Sequence, residues 1–170
     1  GLLTKKMDQW NLTDNTLLIF LTDNGSAMGS RVYNYGMKGA KGSHHEGGSR
    51  VPLFMRLPGK TKAGTDIDRM ARHYDLFPTL AEFADAELPK GYKLDGKSLM
   101  PLIENPKADW PNRYTVFHKG RWSKEGLKGW WGNGNTDPDK AKYNSFAVRN
   151  EKWRLTAKDE LYDIETDPSQ

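Results

Sequence analysis

Five apolar residues, Leu17 to Leu21, run without interruption into Thr22-Asp23-Asn24-Gly25. An alternating run describes a strand with one wet face. A continuous run describes a strand covered on both faces, which is the condition of strands in a parallel sheet. Upstream, Leu3, Met7 and Trp10 recur at helical spacing with Lys5, Lys6, Asp8 and Gln9 between them. That is one apolar stripe of an amphipathic helix, and the turn formers of residues 11–16 end it. A helix followed by such a strand is the second half of a βαβ unit.

The placement of Asp23 and Asn24 then needs a cause. Asp-Asn-Gly after a strand also suits a tight hairpin turn, but a hairpin requires an alternating return strand, and residues 26–39 do not supply one. In open α/β sheets, ligands bind at the carboxyl ends of strands. A carboxylate and an amide carbonyl are hard oxygen donors suited to calcium or magnesium. Gly25 lets the backbone turn there without crowding an ion.

Gly25 to Gly48 is rich in Gly and Ser, lacks periodicity and reads as a long functional loop. Val51 to Gly59 reads as a short strand closed by a Pro-Gly turn. Asp75 is placed to cap a helix starting at Leu76, with Pro78 in the first turn, where a missing N–H costs little. Turn-rich sequence follows from Tyr92 to Arg113. "FAVRNEKWRLT" reads as two short strands about a turn at Asn150-Glu151, and "ELYDIETDP" as another. The expected fold is therefore α/β: a mixed, mainly parallel sheet flanked by helices over 1–104, then a small antiparallel α+β subdomain over 105–170. Six Trp, seven Tyr and six Phe argue against disorder.

Charge narrows the function. The net charge is only +4, but its distribution is uneven. Arg31, Lys38, Lys41, Arg50, Arg56, Lys60 and Lys62 face the single acid Glu46 between positions 31 and 62. Such a field suits an anionic ligand. No nucleic-acid motif accompanies it, so no nucleic-acid partner is expected. There is no cysteine, which excludes disulfides, zinc thiolate sites and a Cys nucleophile. No apolar run approaches the ~18 residues of a membrane helix. Gly1 opens the chain inside a helical pattern, so these residues are expected to be part of a longer protein.

"TDNG", "GMKGAKGSHHEGGSRVP", "YDLFPTL", "LDGKSLMPL" and "AVRNEKWRL" with "ELYDIETDP" follow one another in the order seen in sulfatases. In this the chain resembles the carboxyl-terminal part of that family, within the alkaline-phosphatase-like superfamily. The resemblance implies that Asp23 and Asn24 ligate a divalent metal, usually calcium. It implies that Lys41, before the Glu-Gly-Gly segment, is the catalytic and substrate-binding lysine that contacts the sulfate. Lys38 lies one Lys-Gly step too early for that role. Glu46 and Arg50 are expected to pair and hold the loop, with His44 and His45 as polar loop residues near the site. His118 is a candidate substrate-binding residue from the small subdomain.

The family's nucleophile is a formylglycine made from Cys or Ser in a motif near the amino terminus. No such motif occurs in these residues, so the formylglycine is expected upstream, in a missing amino-terminal part of the same protein. The implied substrate is a sulfate ester, aryl or carbohydrate, and the implied location is periplasmic or secreted. The chain alone is expected to be inactive. Two other readings stand beside this one: a phosphodiesterase or phosphonate hydrolase of the same superfamily, and a non-catalytic module that binds acidic glycans through its basic loop and Trp122, Trp130 and Trp131.

Overall fold

The computed structural model describes residues 1–88, 90–118 and 146–170. Its helices and strands, in chain order, are α1 (Leu2–Gln9), β1 (Leu18–Leu21), α2 (Glu46–Ser49), β2 (Leu53–Arg56), α3 (Leu76–Phe83), α4 (Met100–Glu104), β3 (Thr115–His118), β4 (Phe146–Arg149), β5 (Trp153–Thr156) and β6 (Leu161–Asp163). Two compact units emerge, one of residues 1–21 and 52–111, the other of 22–51 and 112–170. The residues do not cluster about a single cut at 104. The long loop 22–51, expected to belong with the helices, is grouped with the carboxyl-terminal strands. Trp122, Trp130 and Trp131 lie outside the described residues.

In the first unit β1 and β2 form a two-stranded sheet, with Leu18 opposite Arg56 and Leu21 opposite Leu53. The pairing is antiparallel, and among the described residues no parallel pair joins it, so the parallel part of the expected mixed sheet is not shown. A continuous apolar run reports burial and says nothing about the direction of the neighbouring strand. Nor is β1 covered on both faces among the described residues. Phe20 and its cross-strand partner Phe54 are 60% and 65% exposed, with ring centroids 6.1 Å apart. The opposite face of β2 carries Leu53 and Met55 against a core of Leu99, Leu102 and Trp110, joined by Leu76, Ile103 and Ala108.

α3 begins where the capping pattern placed it, but Asp75 acts differently. Its carboxylate accepts the backbone N–H of Arg72 (2.8 Å) and of Lys97 (2.9 Å). The Thr79 hydroxyl donates to the Asp75 carbonyl (2.6 Å) and accepts the Leu99 N–H (2.9 Å). Both residues are fully buried. Buried polar groups must find partners, and these splice the start of α3 to the segment that opens α4. In α1, Met7 is buried while Leu3 is exposed, as is Trp10 just after the helix.

The second unit carries an antiparallel meander in the order β3-β4-β5-β6, as the alternation of the carboxyl-terminal segments predicts. The register places Val116, Val148, Leu155 and Leu161 in one row across the four strands. The neighbouring row, on the other face, is Thr115, Arg149, Arg154 and Tyr162. The β4–β5 turn is fixed by Asn150, whose Oδ1 accepts the N–H of Lys152 (2.9 Å) and of Trp153 (2.6 Å).

Candidate functional site

Asp23 and Asn24 are the second and third residues after β1; Asp23 is exposed and Asn24 half-buried. Backbone contacts bring the lysine-bearing loop to them. The Gly25 N–H donates to the Gly48 carbonyl (3.0 Å), and the Lys41 N–H donates to the Ser26 carbonyl (3.2 Å). Glycines permit this. A Cβ on Gly25 would lie 1.8 Å from the Gly47 carbonyl oxygen, one on Gly47 2.3 Å from that of Gly39, and one on Gly48 2.3 Å from that of Ser43. Three backbone segments thus touch where a side chain has no room. This is a different reason for Gly25 than space beside an ion.

The two lysines of the loop are separated by their surroundings. Lys38 is half-buried; its N–H donates to the Pro168 carbonyl (3.3 Å), and its ammonium donates to the Gln170 carbonyl (3.0 Å) and lies over the Tyr162 ring. The Lys41 residue is exposed. His44 and His45 stack with centroids 4.5 Å apart, and His45 Nδ1 meets Gln170 Oε1 at 2.8 Å. Burial holds His45 below the ordinary histidine range. The Gln170 contact opposes this, and the nearby charges of Lys38 and Arg154 add to it.

Glu46 is 1% exposed and accepts from Arg154 Nη2 (2.5 Å) and Arg149 Nη1 (2.9 Å). Its expected partner Arg50 is more distant, 3.9 Å, with a side chain 55% exposed. Arg154 also donates to the His44 carbonyl and to Ser49 Oγ (3.1 Å), and its guanidinium lies over the Phe117 ring. Burial pulls the Arg149 and Arg154 guanidiniums below their usual range, with Glu46 opposing. Neither arginine was singled out from the sequence, though a signal was present. Arg149 and Arg154 are cross-strand partners of one hairpin. Like charges directly opposite are unfavourable unless an acid sits between them.

His118 stands at the end of β3 opposite Phe146. It is exposed and lies on the Val116 face of the sheet, the face away from Arg149 and Arg154. The Lys41 backbone is therefore tied to Ser26, two residues after Asn24, and His118 lies on the other face of the meander from Arg149 and Arg154. Among the described residues no group of three or more His, Cys, Asp or Glu side chains is placed to hold a metal. The Asp23 carboxylate and the Asn24 amide oxygen fit two positions of a hard-cation shell.

The sulfatase family model matches residues 1–86, half of this chain, and the chain belongs to that family. The human steryl-sulfatase is 35% identical over 126 residues, 69% of this chain and 21% of that protein. The crystal structure of Ps i-CgsB in complex with k-i-k-neocarrahexaose superposes with a TM-score of 0.76 at 26% identity, covering 99% of this chain and 34% of that one. The phosphonate monoester hydrolase SpPMH from Silicibacter pomeroyi shares the fold with a TM-score of 0.63 at 21% identity, covering 97% of this chain and 32% of that one. The chain thus spans about a fifth of the curated relatives it matches and about a third of the solved structures.

Proposed function

We propose that this chain is the part of a sulfuric ester hydrolase that supplies two metal ligands and the sulfate-binding cation. The observation that carries the reading is the Lys41–Ser26 backbone hydrogen bond. With the three-glycine contact, it keeps the exposed lysine against the segment that presents Asp23 and Asn24. Those two residues would hold a divalent cation, calcium by family resemblance. Such a cation would supply charge neutralisation at the sulfate oxygens, and a formylglycine, expected from the family resemblance, would supply the attacking oxygen.

What this chain's own residues do follows from electrostatics. The Asp23 carboxylate offers a hard oxygen donor of the kind a divalent cation prefers. The Lys41 ammonium pairs with the sulfate group and strengthens its contact as negative charge grows on the sulfate and leaving oxygens. Because its backbone is held before substrate arrives, little reorganisation is spent at the moment of reaction. Binding of sulfated carbohydrate is supported by the relative solved with an oligosaccharide; a compact aryl or steryl ester is supported by the steryl-sulfatase relationship. His118 stays in this reading only as a candidate substrate contact, since it lies on the sheet face away from Arg149 and Arg154, and a periplasmic or secreted location is proposed from the family resemblance alone.

The test uses the full-length protein that carries these residues. Asp23→Ala and wild type are assayed on an aryl sulfate, a sulfated oligosaccharide and a phosphonate monoester. The sulfatase reading expects turnover of a sulfate ester that Asp23→Ala abolishes. Preferential turnover of the phosphonate would move the chain to the phosphonate-hydrolase branch that shares its fold. Binding of sulfated glycan without metal and without turnover would make it a binding module.

A further inference from the structure

We infer that Arg154, on β5 of the carboxyl-terminal meander, is a positioning residue for the sulfate-binding loop. Through His44, Glu46 and Ser49 it fixes the segment that presents Lys41. The inference rests on the reading of Lys41 as the sulfate-binding cation. Arg154 is fully buried, and one planar guanidinium reaches three points of residues 44–49: the His44 carbonyl, the Glu46 carboxylate and Ser49 Oγ. Those points lead to the site through the backbone. The Ser49 hydroxyl donates to the His45 carbonyl (2.9 Å), the Gly47 N–H to Lys38 O (2.8 Å), and the Gly48 carbonyl accepts from Gly25. From Gly25 the chain continues to Ser26, whose carbonyl receives the Lys41 N–H.

The arrangement is a poor choice for stability alone. One buried and one partly buried guanidinium share one buried carboxylate, and desolvating such charges can offset most of their attraction; an apolar set of similar volume often packs as well. What a charged fork adds is direction. A planar guanidinium fixes several acceptors in one geometry, and among the described residues the segment it grips is paired to no strand. Arg149 supports the same carboxylate from the facing position in β4. The carboxyl-terminal meander is therefore the frame that fixes the geometry of Lys41.

The experiment uses the full-length protein with Arg154→Lys and with the pair Glu46→Gln/Arg154→Met. The pair removes one buried charge of each sign and leaves Arg149 a neutral acceptor. Two quantities are read: amide hydrogen exchange in residues 39–48 against that in β4–β6, and kcat and KM on an aryl sulfate. A lysine cannot span the three acceptors. Arg154→Lys should speed exchange at Lys41, Gly47 and Gly48 by about tenfold while the strands keep their protection. It should lower kcat by up to about a hundredfold, with a smaller change in KM. The charge-neutral pair should keep the strands protected without restoring the loop or kcat. Equal loss of protection in loop and strands in both variants would reduce Arg154 to a stabilising residue and overturn the inference. So would wild-type kcat in the neutral pair. A Lys41→Ala variant with unchanged kcat would remove the reading of Lys41, and the exchange data would still decide whether Arg154 fixes the loop.

Discussion

Lys38 and Lys41 stand three positions apart in one glycine-rich stretch, each followed by Gly. Order alone separates them in the sequence, because Lys41 lies closer to Glu-Gly-Gly. The structure adds a physical distinction: Lys38 is tied to the Pro168 and Gln170 carbonyls, and Lys41 is exposed. In the full-length protein Lys41→Ala should lower kcat/KM by about a hundredfold or more, the scale of losing one donor aimed at developing charge. Lys38→Ala should act mainly on stability, at about 1 kcal/mol for a hydrogen bond to a charged donor at a half-buried site. Steady-state kinetics with thermal unfolding separates the two. The partners of Glu46 were not legible in the same way. Closeness in sequence suggested Arg50, whereas the close partners lie more than a hundred residues away, on β4 and β5. His45 has a pH signature. Burial, reinforced by Lys38 and Arg154 and opposed by Gln170 and Glu160, holds it below its ordinary value. As pH falls through the unfolded value of about 6.5, the unfolded chain takes up the proton first. The His45 contribution to stability is therefore full above that pH and declines below it. His45→Gln should flatten the fall in melting temperature between pH 7.5 and 5.5; an unchanged slope would assign it to other groups.

Elements were legible where the local pattern carries the information. β1 falls within the apolar run, α3 begins after Asp75, and β4 and β5 flank the turn at Asn150. Strand direction was not legible, because the run from Leu17 to Leu21 describes how apolar the strand is and not which way its neighbour runs. The glycines of the loop show the same limit. Composition marks residues 25–48 as irregular, but not that Gly25 packs against the Gly47 carbonyl. That contact gives a sharp prediction. A Cβ on Gly25 would stand 1.8 Å from a backbone oxygen that cannot rotate away. Gly25→Ala should therefore cost about 2–3 kcal/mol or more, at the upper end of overpacking effects. It should also uncouple Lys41 from Ser26. Chemical denaturation of the variant checks the cost, and a midpoint equal to wild type would mean that the Gly25–Gly48 contact does not form in solution.

At the scale of the whole molecule, the chain matches its family over a limited share of the relatives' length. Sequence order was enough to place it there, since the matching segments are spread from Thr22 to Pro168. It was not enough to show that the loop carrying Lys41 groups with the carboxyl-terminal strands, because the pairs that join them, Glu46 with Arg149 and Arg154, are more than a hundred residues apart in sequence. The exposed pair Phe20 and Phe54 leaves an aromatic patch on the β1–β2 sheet, and a patch of that kind often marks a contact surface. The isolated 170-residue chain should neither hydrolyse sulfate esters nor hold calcium tightly. Calcium takes about 6–8 oxygen ligands, and Asp23 with Asn24 offers two side-chain donors and one negative charge. Water can complete the shell but adds no charge. The chain contains no cysteine, and without an activated nucleophile the sulfur has no attacking group, however well Lys41 is placed. Calorimetry should show no calcium binding at micromolar concentration, and a chromogenic aryl sulfate should remain uncleaved. Adding the remaining part of the enzyme in trans should restore turnover only if Asp23 and Lys41 are intact. Turnover by the isolated chain that survives Asp23→Ala would mean that its chemistry is carried by other residues.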